Sequence, residues 1–178
     1  MTAPLATTDR LAVRPLADRD APWLADLHSR PEVTRPLGLA ERSTEEDERA
    51  RLATWRARYP EATGYGVWGL WRLDGPPVGV VMLVPLRPQG EHDGIEVGWR
   101  LNPDHWGHGY ATEGASALLD LGFAERGLDT VHAVILPENA RSRAVAERLG
   151  MERRGQLPYA DLLHDLWTVD AGTWAARR

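Results

Sequence analysis

The sequence predicts a mixed α/β layer fold, one sheet with helices on both of its faces. Three observations lead there. Hydrophobic periodicities of 2 and 3.6 succeed one another in the order strand, helices, three strands, helix, strand, helix, strands. The segments "YGVWGLWRL" and "VGVVMLV", joined by "DGPP", read as an antiparallel hairpin. The strand "GIEVGWRL" then runs through "NPDHWGHGY" into an alanine-rich helix. A length of 178 residues fits a single domain, about 150 residues being the ordinary expectation.

Each element has a local reason. Leu11, Val13 and Leu16 alternate, and Ala21, Leu24 and Leu27 then recur at helical spacing. The prolines and glycine of "RPEVTRPLGLAER" predict a loop. "STEEDERARLATWRARY" starts with Ser43 and Glu46 in capping-box spacing, carries Leu52, Trp55 and Tyr59 on one face, and ends before Pro60. "ATEGASALLDLGFAERG" turns Ala115, Leu118, Leu119 and Phe123 inward and stops at Gly127. "TVHAVIL" is a strand, "ENARSRAVAERLG" a helix ending in glycine, and the C-terminal segment two strands around a turn.

Composition narrows the chemistry. There is no cysteine, hence no disulfide framework, thiolate zinc site or cysteine nucleophile. All 21 basic side chains are arginine, which removes a Walker-type phosphate loop, a kinase and Schiff-base chemistry. A net charge of −5 argues against a nucleic-acid partner. No apolar run is long enough to span a bilayer and the start lacks a leader pattern, so the expected setting is cytoplasmic, with no membrane partner.

The stretch Trp106 to Thr112 lies where a strand ends and a helix begins. Unsatisfied N–H groups and the positive end of the helix dipole make an anion site there. Gly107 and Gly109 would let the backbone approach such a ligand. A dinucleotide fingerprint fails on spacing, since Thr112 stands where the third glycine belongs. His105, His108 and Asp104 make a poor metal set, with no cysteine and the histidines three apart on a glycine turn, so no metal is expected.

In this stretch, Gly109 and Ala111 match the last two positions of the Q/R-x-x-G-x-G/A motif, with Trp106 in place of the first. The chain thereby resembles the GCN5-related N-acetyltransferases. "RLAVRPLADRDAPWLADLHSRPEVTRPL", "IEVGWRLNPDHWGHGYATE" and "ENARSRAVAERLGMERRG" are similar, in order, to segments of the ribosomal-protein alanine N-acetyltransferase branch. The resemblance covers nearly the whole chain. It implies a single-domain fold over residues 1–178, a mostly antiparallel sheet with a splayed central strand pair, and acetyl-CoA as acyl donor. It places pyrophosphate on Trp106, Gly107, His108, Gly109, Tyr110, Ala111 and Thr112. It places the pantetheine arm beside Trp99, Arg100 and Leu101, with Asn139 and Ser142 from the other side. Asn139 can equally serve as an N-cap.

Acetyl transfer to an amine needs a proton acceptor, a group facing the oxyanion and a proton for the leaving thiolate. Glu96 shares a strand face with Gly98 and Arg100 and is one candidate base, or an ion-pair partner. Asp161, by resemblance, is the other, or a turn residue. Glu113 has a dipole reason to be in a first helical turn. The resembling family often carries a tyrosine seven residues after the motif asparagine. Ala146 stands there, which leaves Ser142, and more remotely Tyr159, as proton donor. The backbone near Trp99 would face the oxyanion. The expected acceptor is a protein N-terminus or a small cationic amine, drawn by Glu96, Asp161 and Asp165, with a homodimer left open. Alternatives are a non-catalytic acyl-CoA-binding regulatory module and a transferase using a longer donor such as succinyl-CoA.

Overall fold

The period-2 segments form the strands of a single sheet. The computed structural model describes residues 3–37, 42–86, 93–159 and 161–177. Its strands are β1 (Ala6–Thr7), β2 (Leu11–Pro15), β3 (Gly66–Arg72), β4 (Pro77–Pro85), β5 (Ile95–Leu101), β6 (Thr130–Ile135), β7 (Glu152–Tyr159) and β8 (Leu162–Asp170). The helices are α1 (Ala21–Leu27), α2 (Pro31–Thr34), α3 (Glu45–Arg58), α4 (Tyr110–Asp120), α5 (Ala140–Arg148) and α6 (Ala171–Ala175). No helix among the described residues is long and apolar enough to cross a membrane.

The sheet order is β1-β2-β3-β4-β5-β6-β8-β7. Neighbours are antiparallel except β5 and β6. The β4–β5 ladder is continuous from Gly79↔Leu101 to Pro85↔Ile95. The parallel β5–β6 pair, by contrast, has one registered pair, Glu96↔His132. Beyond it the strands part, as the resemblance implied.

Two apolar clusters lie on opposite faces of the sheet. Leu11, Val13, Leu70, Val81, Leu83 and Val97 pack with Ala115, Leu118 and Leu119 of α4 and Val145 and Ala146 of α5. Val80 packs on the other side with Leu24 and Leu27 of α1 and Leu52 of α3. Strand alternation therefore sends Val97, Trp99 and Leu101 toward α4, and Glu96, Gly98 and Arg100 toward α1 and α3.

Four local expectations are corrected. Part of the expected loop after Arg30 is helical: Pro31 at the first position of α2 is preset for a helix. The rest of that loop, 38–41, lies outside the described residues. The cap of α3 is Thr44 with Asp47, one residue on from Ser43 and Glu46. The shift frees Ser43 to donate to the buried Glu48. The helix α4 ends in a π turn over Leu121–Glu125 before Gly127. Two short elements, β1 and α6, carry too few residues for a periodic signal; Trp174 of α6 donates to Asp120 at 2.9 Å and closes the core.

Leu119 is fully buried between α4 and the sheet. Leu119→Ala should lower unfolding free energy by roughly 2–5 kcal/mol, read from the shift of a denaturant midpoint at unchanged slope.

Candidate active site

The turn from β5 into α4 is built on backbone conformation. Gly107 and Gly109 have φ of 81° and 79°, the left-handed region that other residues adopt only with strain. A Cβ on Gly107 would meet nothing within 4 Å, so its glycine serves the turn itself and, inside the protein, clears no neighbour. The first intrahelical bond of α4 runs from Glu113 N to Gly109 O, which leaves the amides of Tyr110, Ala111 and Thr112 as first-turn donors. The Thr112 Oγ1 atom is buried without a hydrogen-bond partner.

Glu113 is structural, as its position suggested. It accepts from Thr8 Oγ1 at 2.6 Å and Arg10 Nε at 2.7 Å and so ties α4 to β2's entry. Burial pushes its carboxyl up, but these bonds outweigh that and hold it below the usual range.

A cleft of about 670 Å³ runs along this turn. Trp99, Arg100, Leu101, Trp106, Gly107, Gly109, Tyr110, Ala111, Thr112, Asn139 and Ser142 all line it. Their convergence follows from the parting of β5 and β6, since α5 comes down beside the gap. Asn139 caps α5, its Oδ1 accepting from Ser142 N at 3.1 Å, and also faces the cleft, so both readings of that residue hold geometrically. Arg141 adds a charge over the Trp106 ring at 4.3 Å, a contact no spacing rule foretold.

Three other expected residues stand outside the cleft lining. His108 does not line the cleft; its ring stacks on Tyr110 and its Nδ1 lies 2.8 Å from Trp106 O. Asp161 sits exposed at the β7–β8 turn with φ of 63°, a conformation aspartate tolerates, and does not line the cleft either. Asp165 is buried, pairing with Arg153 at 2.8 Å and Gln156 at 3.0 Å. The expected acidic surround is therefore not assembled from Asp161 and Asp165. Asp104 approaches Arg30 at 3.5 Å, and no three metal-binding side chains converge among the described residues.

Glu96 stands where β5 and β6 separate, outside the cleft lining but on the strand that forms its floor. Tyr159 Oη, from the end of β7, donates to Glu96 Oε1 at 3.4 Å. Burial pushes the Glu96 carboxyl up to about 7, against the opposing pull of the Tyr159 hydroxyl and the Arg100 charge. Burial, reinforced by Glu96, pushes Tyr159 up to about 12.

Behind Arg100 lies a buried polar cluster that no motif announced. His28 and Glu48 are almost fully enclosed, with His28 Nδ1 3.0 Å from Glu48 Oε1 but off the line of a good hydrogen bond. Glu48 also accepts from Arg51 Nε at 3.2 Å. Burial raises the Glu48 carboxyl, but His28 and Ser43 outweigh it and hold it low; burial, with Arg100 adding, lowers His28.

Comparisons with known proteins bear on the family and the fold. A family profile described as Acetyltransferase (GNAT) domain matches residues 10–152. The N-acetyltransferase YoaA of Bacillus subtilis, itself uncharacterized, is 32% identical over 155 residues, 86% of each chain. An acetyltransferase structure from Agrobacterium tumefaciens superposes with a TM-score of 0.77 at 28% identity over 95% of both chains. Mycobacterium smegmatis RimJ, solved in complex with CoA-disulfide, shares the fold with a TM-score of 0.72 at 21% identity, covering 94% of this chain and 88% of its own.

The raised Glu96 carboxyl has a stability consequence. Between the unfolded value near 4.5 and the folded value of about 7, the native state binds more protons than the unfolded one, so stability falls as pH rises through that window. The loss is at most about 3 kcal/mol. Glu96→Gln should flatten the decline, as measured by urea unfolding from pH 4.5 to 8.

Proposed function

The chain belongs to the GNAT acetyltransferase family, and from that premise we propose that it moves the acetyl group of acetyl-CoA to a primary amine, with Glu96 as base. The family makes it an acyl-CoA-dependent acetyltransferase. The observation that carries the finer reading is Glu96 at the fork of β5 and β6, its carboxyl poised at about 7. A base works best with its pKa near the operating pH, where it is both substantially ionised and still able to hold a proton.

Donor binding rests on three features of the cleft. The first-turn amides of α4 and the orphaned Thr112 hydroxyl fit an anionic pyrophosphate. The edge of β5 that β6 leaves at Trp99 to Leu101 fits the amides of a pantetheine arm, as an added strand would. Asn139 and Ser142 close the opposite wall. His108 is left out of this set.

In the transfer, the amine nitrogen attacks the thioester carbonyl carbon, its surplus proton passing to Glu96 directly or through water. Backbone N–H near Trp99 faces the oxyanion. The carbon–sulfur bond then breaks, and Ser142 gives the thiolate its proton. Tyr159 holds Glu96 in place. We assign the base to Glu96 over Asp161 because Asp161 is exposed on a turn whose backbone already accounts for an aspartate. The resemblance to the ribosomal-protein alanine branch supports a protein N-terminus as one class of acceptor, and small amines are the other.

A panel of amines and peptides assayed for CoA-thiol release with acetyl- and succinyl-CoA tests this reading against a binding module and a longer-chain donor. Wild-type kcat/KM should climb with pH to a plateau above about 7. Glu96→Gln should cost about 10²- to 10⁴-fold near neutrality, with partial alkaline rescue as free amine becomes abundant. Ser142→Ala should cost only about tenfold and show no such rescue, since water can substitute as donor. A wild-type pH profile in Glu96→Gln would remove the carboxylate mechanism.

Gly109→Val forces a β-branched residue into φ of 79° at the start of α4. Calorimetry should show acetyl-CoA affinity reduced about tenfold or more in a variant that still melts cooperatively. Unchanged affinity would sink the phosphate assignment.

A further inference from the structure

Arg100 makes no ion pair among the described residues, although the charges of Glu96 and Glu48 are near enough to favour its own. It is half-buried on β5, lines the cleft, and has no carboxylate within ion-pairing distance among the described residues. Its Nε is buried with no hydrogen-bond partner. Among the described residues its side chain meets the His28 ring, whose Nε2 lies 3.4 Å from an Arg100 terminal nitrogen. With Nδ1 of that ring turned to Glu48, Nε2 is the position left to accept from the guanidinium. Glu48 is held through Oε1 by Arg51 and Ser43, while its Oε2 is buried without a partner and makes no ion pair with Arg100. Burial lowers Arg100 only to about 10, so it stays charged at neutral pH.

Half-burying a guanidinium with its Nε left unpartnered is costly. A cleft that retains one is matched to an anion brought by its ligand. The side chain points to the α1–α3 side of the sheet, whereas the first turn of α4, where pyrophosphate is proposed to sit, belongs to the other side. Glu96, four residues earlier on the same strand, points the same way and acts on the amine.

We propose that Arg100 binds the carboxylate of the acceptor, and that the acceptor is a small amine carrying a carboxylate, an amino-acid-like molecule. This rests on the acetyl-transfer reading above. Glu96 takes the amine end and Arg100 the acid end, while His28, backed by Glu48, orients the guanidinium. A purely cationic amine, by contrast, would be set beside a half-buried positive charge.

Matched pairs of amino acids and their carboxamides test this, as acceptors in turnover and as ligands of the CoA-loaded enzyme in calorimetry. The wild type should prefer the acid member at least tenfold in kcat/KM. Arg100→Gln should bring that ratio near one, chiefly through acceptor KM, with acetyl-CoA affinity changed less than twofold. Arg100→Lys, which keeps the charge but loses the fork, should retain an intermediate preference. Equal use of acid and amide by the wild type, or a preference that survives Arg100→Gln, overturns the proposal. So does a selective loss of acetyl-CoA affinity, which would assign Arg100 to the donor's phosphates. The calorimetric arm separates the two readings: Arg100-dependent binding of the acids without transfer to any amine supports the anion subsite and removes acetyl transfer.

Discussion

The separation of β5 from β6 after a single registered pair is the constraint on which the rest of the site depends. A paired β5 would spend its backbone groups on β6 and offer nothing to a ligand. Left unpaired past Glu96, its edge becomes one wall of a cleft, and α5 supplies the other through Asn139 and Ser142. The long β4–β5 ladder and the packing of α4 keep the strand in place without β6. The fork also fixes Glu96 at its apex, within reach of Tyr159 from β7.

The two sides of β5 have opposite characters, and strand alternation is the reason. Val97 is buried against α4, and Leu101, also buried, accepts from Trp106 Nε1 in the turn that starts it. Glu96 and Arg100, both half-buried, face α1 and α3, where Glu48 and His28 are fully enclosed. Four ionisable groups thus share a small volume of low polarity, and each shift there begins with lost hydration. Hydrogen bonds decide the outcome. Glu48, with three polar neighbours, stays below the usual carboxylate range, while Glu96, with one long bond from Tyr159, is raised to about 7.

Much of the donor side was legible in the sequence because it is local. Gly107, Gly109 and the helix that follows are contiguous, and their left-handed backbone is what glycine at those positions signals. The capping role of Asn139 was equally local. Motif spacing gives His108 a position on the loop and leaves open where its ring turns, which is onto Tyr110. Asp161 was singled out by resemblance, whereas its aspartate suits a positive-φ turn. The caps were misread by one residue at α3 because Ser43–Glu46 and Thr44–Asp47 offer the same spacing, and the fold uses Ser43 to satisfy Glu48.

The sequence by itself determined the layers, the hairpin of β3 and β4, the glycine turn into α4 and the family to which the chain belongs, because each is written in neighbouring residues or in an ordered run of motifs. Only the tertiary structure decided which ionisable groups meet. Glu96 and Arg100 lie on β5, Glu48 on α3, Tyr159 at the end of β7 and His28 just past α1, positions separated by up to 131 residues (from 28 to 159). Periodicity says which face a residue occupies, but a pKa or a missing partner depends on what the opposing elements bring to that face. That is settled when α1 and α3 pack on the sheet and remove its water.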